Sequence, residues 1–202
     1  MRVIPHDGAR TVPLSGLSAF LSAAAYAIYL WTIWHSGATP QLATWLAWTL
    51  LTSLLAITFL KASKDIRASA QYIAEALGCI LVCTVAAIAG KFTLLDRMDW
   101  TIIVLCIIAC AVWFMGRKAI WANVILAGTL VLGSLPTIIA LLAHVTVEYP
   151  LPWWVWTAAF ITTLVNVYQR ADKNRPGWQL LLIAPVVGVA IHGTIAVIAS
   201  LH

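Results

Sequence analysis

Seven long runs of hydrophobic residues divide the chain, and the short connections between them hold most of its charged residues. The runs cover approximately residues 14–35, 40–60, 69–90, 100–115, 119–143, 151–169 and 178–201. Since an α-helix needs about 20 apolar residues to cross the hydrocarbon core of a bilayer, the pattern predicts seven transmembrane helices. The residues before the first run contain Pro5, Asp7 and Pro13 and no cleavage site, so we expect a short tail over 1–13 and not a signal peptide.

Composition places the chain among integral membrane proteins. Hydrophobic residues make up 62% of its 202 residues and charged residues only 9%, whereas a soluble domain carries about 25% charged residues. We therefore expect an all-α integral membrane protein whose main partner is the lipid bilayer. The net charge of +5 forms no basic stripe interleaved with aromatic residues, so no nucleic-acid partner is expected.

The basic residues predict the orientation, because cytoplasmic loops carry an excess of lysine and arginine. In the seven-span interpretation, Lys91 and Arg97 lie on one side of the membrane, and the remaining ten basic residues lie on the other. These ten are Arg2, Arg10, Lys61, Lys64, Arg67, Arg117, Lys118, Arg170, Lys173 and Arg175. The distribution predicts a cytoplasmic N-terminus and an external C-terminus.

An internal repeat is indicated at an offset of 108 residues. This offset superimposes Trp45 and Trp48, which open the second run, on Trp153 and Trp156, which open the sixth. The same offset relates Arg67 to Arg175 and Gln71 to Gln179, and it places the first three runs on the last three. Two three-helix units joined through one extra helix face the same way, so the pattern predicts a 3+1+3 arrangement with parallel repeats.

The predicted units follow from this arrangement. They are a cytoplasmic tail at 1–13, a first three-helix bundle at 14–90, a linker helix with its loops at 91–118, and a second three-helix bundle at 119–202.

The paired tryptophans are the leading candidates for a binding site. Within each pair the residues lie one helical turn apart and share a face. They either form an aromatic belt at the outer membrane interface or line a central cavity in which a ring-shaped solute stacks between indoles.

Polar residues inside the runs are further candidates. Gln71 and Glu75 begin a stripe of polar residues spaced four apart, and an ionisable group inside a span is a functional candidate by default. Glu75 either faces a cavity or reaches toward the basic side. Asn166 and His192 either line the same cavity or hold helices together. Pro136 and Pro185 interrupt the fifth and seventh runs and are candidate hinges.

Signatures of catalysis and of metal binding are missing from the sequence. It contains no HExxH, GxSxG or phosphate-binding glycine motif, and its four cysteines have no metal-ligand spacing. We expect no catalytic residues, no metal and no cofactor.

The chain resembles the SWEET/PQ-loop superfamily of seven-span 3+1+3 transporters. The resemblance rests on the segment from Tyr29 to Pro40-Gln41, which precedes Thr44-Trp-Leu-Ala-Trp48, and on Pro136-Thr137 followed by Glu148 and the second tryptophan pair. It points to an uncharacterised bacterial branch, and the paired tryptophans are also similar to those of nicotinamide riboside transporters. The resemblance implies a carrier for a small neutral solute with a central site, assembled as a homotrimer.

Three hypotheses follow. The leading one is a transporter for a small neutral solute, such as a sugar, nucleoside or vitamin, working by facilitated diffusion because few titratable side chains lie in the spans. The second is a non-transporting membrane subunit or scaffold. The third is a lipid-modifying membrane enzyme with Glu75 and His192 as acid and base, which requires the two side chains to lie within about 3 Å or one water of each other.

Overall fold

The computed structural model describes residues 12–63, 66–115, 119–171, 173–174 and 178–201, and all regular structure within these ranges is helical. Most of the predicted tail at 1–13 lies outside the described residues; α1 begins at Val12, two residues earlier than expected. The α-helices are α1 Val12–Trp31, α2 Leu42–Ser63, α3 Ile66–Ala89, α4 Arg97–Met115, α5 Ala119–Leu142, α6 Pro150–Arg170 and α7 Ile183–Ser200. A π-helical turn, Thr32–Ser36, extends α1, and a 3₁₀ turn, Trp178–Leu182, precedes α7.

Five helical segments are long and apolar enough to cross a membrane, so the prediction of an all-helical membrane protein is confirmed in this form. The five are Leu14–Ser36, Ser69–Ala89, Arg97–Met115, Val124–Leu142 and Trp178–Ser200. The described apolar part of α2, Leu42–Thr58, is shorter, and α6 is not among the five although it contains 21 residues. The seven-span arrangement and its orientation stay predictions.

Six helices form a closed ring. α3 packs against both α1 and α2, and α7 packs against both α5 and α6. The ring closes because α1 also packs against α6, and α2 against α5, while α4 lies outside against α5 and α2. Exchanging α1, α2 and α3 with α5, α6 and α7 leaves the contacts within the ring unchanged.

The two ends of the ring differ. We call the end formed by residues 37–41, 90–96 and 143–149 the aromatic end, and the opposite end, where α2, α4 and α6 finish, the basic end. At the aromatic end Asp96 and Asp99 cap the start of α4 reciprocally, since each carboxylate accepts the other residue's backbone N–H (2.8 and 3.0 Å). The amide nitrogen of Gln41 donates to both oxygens of Asp99 (3.1 Å each), which fixes the start of α2 against α4.

The two predicted hinge prolines occupy different positions. Pro136 lies inside α5, and the next backbone N–H, that of Thr137, donates to Thr44 Oγ1 on α2 (3.2 Å). Pro185 is the third residue of α7, where a backbone N–H would have no partner within the helix. The helix geometry of the seventh run changes from 3₁₀ to α just before Pro185, and the role of Pro185 as a hinge stays a prediction.

Two glycines let aromatic rings of neighbouring helices pack against the helix backbone. A Cβ added at Gly78 on α3 would lie 2.3 Å from the ring of Tyr26 on α1, and one added at Gly188 on α7 would lie 2.3 Å from the ring of Phe160 on α6. Both rings point toward the interior of the ring of helices, where the candidate site lies.

Candidate functional site

Four tryptophans from the first turns of α2 and α6 meet in the interior at the aromatic end. Trp45, Trp48, Trp153 and Trp156 are each at most 4% exposed. Ring centroids lie 5.6 Å apart for Trp45 and Trp48, and 5.1 Å apart for Trp153 and Trp156. The two cross-pairs, Trp45 with Trp156 and Trp48 with Trp153, lie 6.1 and 6.0 Å apart, so exchange of the pairs nearly preserves the geometry.

The location of the four tryptophans argues against the aromatic belt and gives only partial support to the alternative, the wall of a central cavity. The rings lie inside the bundle and not in a lipid-facing belt, but they pack on one another and do not border an open chamber. Four other tryptophans at the aromatic end are 46–60% exposed and have the position of a belt: Trp31, Trp34, Trp100 and Trp154.

Two tyrosines and a histidine complete the aromatic cluster. Tyr29 lies 4.9 Å from Trp45 and Tyr26 lies 4.7 Å from Trp156, measured between ring centroids. His192 lies 5.4 Å from Trp48, and its Nδ1 is 2.7 Å from the carbonyl oxygen of Gly188. Because a carbonyl only accepts, Nδ1 carries the proton in this bond and the ring is held in one orientation.

A small cavity lies directly beneath the cluster on the side of the basic end. Its volume is about 30 Å³, and since one water needs about 10–15 Å³ on this measure, it holds about two waters and no larger solute. Its lining combines aromatic, polar and apolar side chains: Trp48, Thr52, Leu55, Tyr72, Glu75, Cys79, Leu130, Phe160, Ala184, Gly188, Ile191 and His192.

Glu75 is the acidic group of this cavity. Its side chain is buried, its Oε1 accepts a hydrogen bond from Ser22 Oγ (2.6 Å) and its Oε2 accepts one from Tyr26 Oη (2.8 Å). The hydrogen bonds of Glu75 and His192 run to other partners, while both side chains line the same cavity, and the enzyme hypothesis stays a prediction.

The structure brings only some of the predicted site residues together. Trp48, Glu75 and His192 line the cavity, and the other three tryptophans pack above it. Gln71 and Asn166 are buried nearer the basic end and do not line the cavity. Asn166 Oδ1 has no hydrogen-bond partner among the described residues.

Hydrogen bonds between two connections close the aromatic end above the cluster. The backbone N–H of Thr39 donates to the carbonyl oxygen of Val147 (3.0 Å), and the N–H of Val147 donates to Thr39 Oγ1 (2.9 Å). The hydroxyl groups of Thr146 and Tyr149 donate to the carbonyl oxygens of Thr39 and Ser36. Thr39 and Val147 are separated by 108 residues, the offset of the predicted repeat.

Glu148 joins this closure to the aromatic cluster. Its carboxylate accepts hydrogen bonds from Tyr29 Oη (2.7 Å) and Trp153 Nε1 (3.1 Å). Burial raises the pKa of Glu148 from 4.5 to about 8, although these two hydrogen bonds act in the opposite direction. The sequence assigns Glu148 no role beyond the family resemblance, because a single carboxylate in a connection is expected to be solvated. The tryptophan five residues later is the only feature of the sequence that points to its burial.

In comparisons with known proteins, the chain matches no family model, no curated protein and no solved structure. Function is therefore inferred from the site: a buried aromatic cluster, a small cavity with one carboxyl group and one histidine, and a hydrogen-bonded closure at one end.

Proposed function

We infer that the protein is a membrane transporter for a small neutral solute, of the sugar, nucleoside or vitamin kind, with its binding site between two like-facing three-helix units. In this proposal all seven helices span a bacterial inner membrane with the N-terminus in the cytoplasm, and α4 is the linker between the units. The aromatic end then faces outward and the basic end inward.

The observation that carries the proposal is the position of the aromatic cluster. Each half of the ring contributes one tryptophan pair, and the pairs meet at the boundary between the halves with nearly interchangeable distances. Below them lies the cavity with Glu75 and His192. Aromatic faces beside a few polar groups are the usual lining of a small-molecule site.

In this proposal the conformation is the one that is closed to the outside. The bonds between Thr39 and Val147 and the packed indoles block the outer side, while the cavity lies on the inner side of the block. A solute larger than two waters needs the cluster to separate, and Pro136, inside α5, is the proposed hinge.

Uptake into proteoliposomes tests the proposal, with radiolabelled glucose, uridine and pyridoxine as probes. The double variant Trp48→Ala/Trp156→Ala removes one indole from each half of the cluster and should reduce uptake at least tenfold. The control is Trp31→Ala/Trp154→Ala, which removes two exposed indoles from the same end and should retain uptake. Size-exclusion chromatography checks that both variants fold. Equal uptake by a folded cluster variant and the control would overturn the stacking model.

A non-transporting membrane subunit is the second candidate, and the cavity volume favours it. A space for about two waters is what a bundle with a purely structural core also contains. Purification with a stoichiometric partner, together with no uptake of any probe, would select this candidate.

A further inference from the structure

Glu75 stands apart from the other acidic residues of the chain. Of the other six, Asp96 and Glu148 lie in connections and Asp99 lies in the first turn of α4, while Asp7, Asp65 and Asp172 lie outside the described residues. Glu75 lies in the third turn of α3, is 4% exposed and lines the cavity. No ion pair joins it to a basic residue among the described side chains, and an uncompensated carboxylate at this depth is costly.

Glu75 is surrounded by hydroxyl and thiol groups, and we expect it to be the group that exchanges a proton on this side of the cavity. α1 contributes Ser22 and Tyr26, α3 itself contributes Tyr72 and Cys79, and α2 contributes the neutral Thr52. Across the cavity, α7 contributes His192, whose Nδ1 proton is committed to the Gly188 carbonyl. Among the residues that the structure describes, no lysine or arginine lines the cavity.

The hydrogen bonds of Glu75 have two distinct arrangements. In the ionised state both oxygens accept, one from Ser22 and one from Tyr26. Once protonated, one oxygen becomes a donor, so the hydroxyl group bonded to it must accept that hydrogen and turn its own hydrogen to another acceptor. The Tyr26 hydroxyl already has alternative partners in reach, the backbone carbonyl oxygen of Glu75 at 3.1 Å and Cys79 Sγ at 3.2 Å.

Tyr26 connects this change to the aromatic cluster. Its ring lies edge-on to Trp156 with 4.7 Å between centroids, and Gly78 lets it pack directly against α3. A change of hydrogen-bond partner at the Tyr26 hydroxyl is therefore transmitted to an indole that closes the cavity. Protonation of Glu75 and the packing of the aromatic cluster are therefore connected through Tyr26.

We propose that Glu75 binds and releases a proton in each transport cycle, so that the solute and one proton cross the membrane together. The proposal rests on the transport function above and replaces facilitated diffusion with proton symport. The proton is taken from water on one side, converts the carboxylate to the carboxylic acid, and is released to water on the other side. No bond in the solute changes and no electron is transferred.

The first arm of the test follows the carboxyl group itself. Infrared difference spectra of the full-length protein in liposomes, recorded as pH is raised from about 5 to 9, should show a protonated-carboxyl C=O band that titrates. Because burial raises the pKa of Glu148 to about 8, Glu148 gives a titrating band of its own in this range. The Glu75 band is the component that is lost in Glu75→Gln and retained in Glu148→Gln. Tyr26→Phe, which keeps the ring and removes the hydroxyl, should shift the titration. A Glu75 signal that does not change with pH would overturn the proposal.

The second arm follows the proton during transport. Proteoliposomes contain a trapped pH-sensitive dye, the membrane potential is clamped with potassium and valinomycin, and glucose, uridine or pyridoxine is added outside. Entry of the transported probe should acidify the lumen of wild-type vesicles, and in Glu75→Gln the probe should enter with at least tenfold less acidification. Entry into wild-type vesicles without acidification would overturn symport and leave the transport function standing. Failure of every probe to enter would overturn both.

Discussion

Gly188→Ala is the substitution whose effect follows most directly from the structure. The added Cβ would lie 2.3–2.6 Å from three atoms of the Phe160 ring, about 1 Å closer than ordinary van der Waals contact. The ring cannot move freely, because it is stacked on His192 with 4.8 Å between centroids. Overpacking of this kind costs about 1–3 kcal/mol, and the better helix propensity of alanine returns about 1 kcal/mol. We expect a net loss of up to about 2 kcal/mol.

A matched control lies five residues further along the same helix. A Cβ at Gly193 would meet its nearest neighbour, Thr157, at 3.8 Å, so Gly193→Ala should be neutral or stabilising. Thermal unfolding of both purified variants in detergent measures the difference, and Phe160→Leu should restore stability to Gly188→Ala by removing the ring. If Gly188→Ala were as stable as Gly193→Ala, the close approach of α6 and α7 described above would be wrong.

Three further predictions concern the aromatic end. The raised pKa of Glu148 means that the folded protein holds this proton more tightly than the unfolded chain, so the stabilising effect is complete below about pH 4.5 and is lost as pH rises through about 8. The melting temperature of the wild type should therefore fall relative to that of Glu148→Gln over this range. Parallel curves of melting temperature against pH for the two proteins would contradict the prediction. Trp153→Ala should cost about 3–5 kcal/mol and remove a donor to Glu148, whereas Trp154→Ala, at an exposed neighbour, should cost under about 1 kcal/mol in the same assay. Asp99→Ala should cost about 1–2 kcal/mol because it removes the acceptor of the Asp96 backbone N–H and of the Gln41 amide, and Gln41→Ala should destabilise less, as measured by the same unfolding curves.

The sequence predicts the helical membrane character of the chain because that property is a sum over many residues. Long apolar runs cannot be soluble, and their helical form follows from the need to satisfy every backbone group in lipid. The burial of Trp45 and Trp153 was one of two open alternatives. Trp154 shows why: it is adjacent to Trp153, about 100° further around the helix, and faces outward, and spacing alone does not say which face is inside.

Other features depend on contacts between distant residues and were not predictable. Glu148 is buried only because Tyr29, 119 residues away, and Trp153 enclose it. The π-helical turn after α1 is stabilised by a residue of the connection that follows α3, because Lys91 Nζ donates a hydrogen bond to the carbonyl oxygen of Ile33 (2.6 Å). Whether Pro185 lies within a helix or at its start depends on where the 3₁₀ turn ends, and apolar pattern does not mark that point.

The connection between residues 36–39 and 146–149 is held by one hydrogen bond between main-chain groups and by three that pair a main-chain group with the hydroxyl of Thr39, Thr146 or Tyr149. Exchange of the valine at 147 for another residue with an N–H group therefore leaves the pairing intact, whereas Val147→Pro deletes a donor. Inserting a single residue between 143 and 146 would shift residues 146–149 relative to residues 36–39 and break the hydrogen bonds between them. The tightness of this end is thus encoded both in segment length and in the hydroxyl side chains at positions 39, 146 and 149.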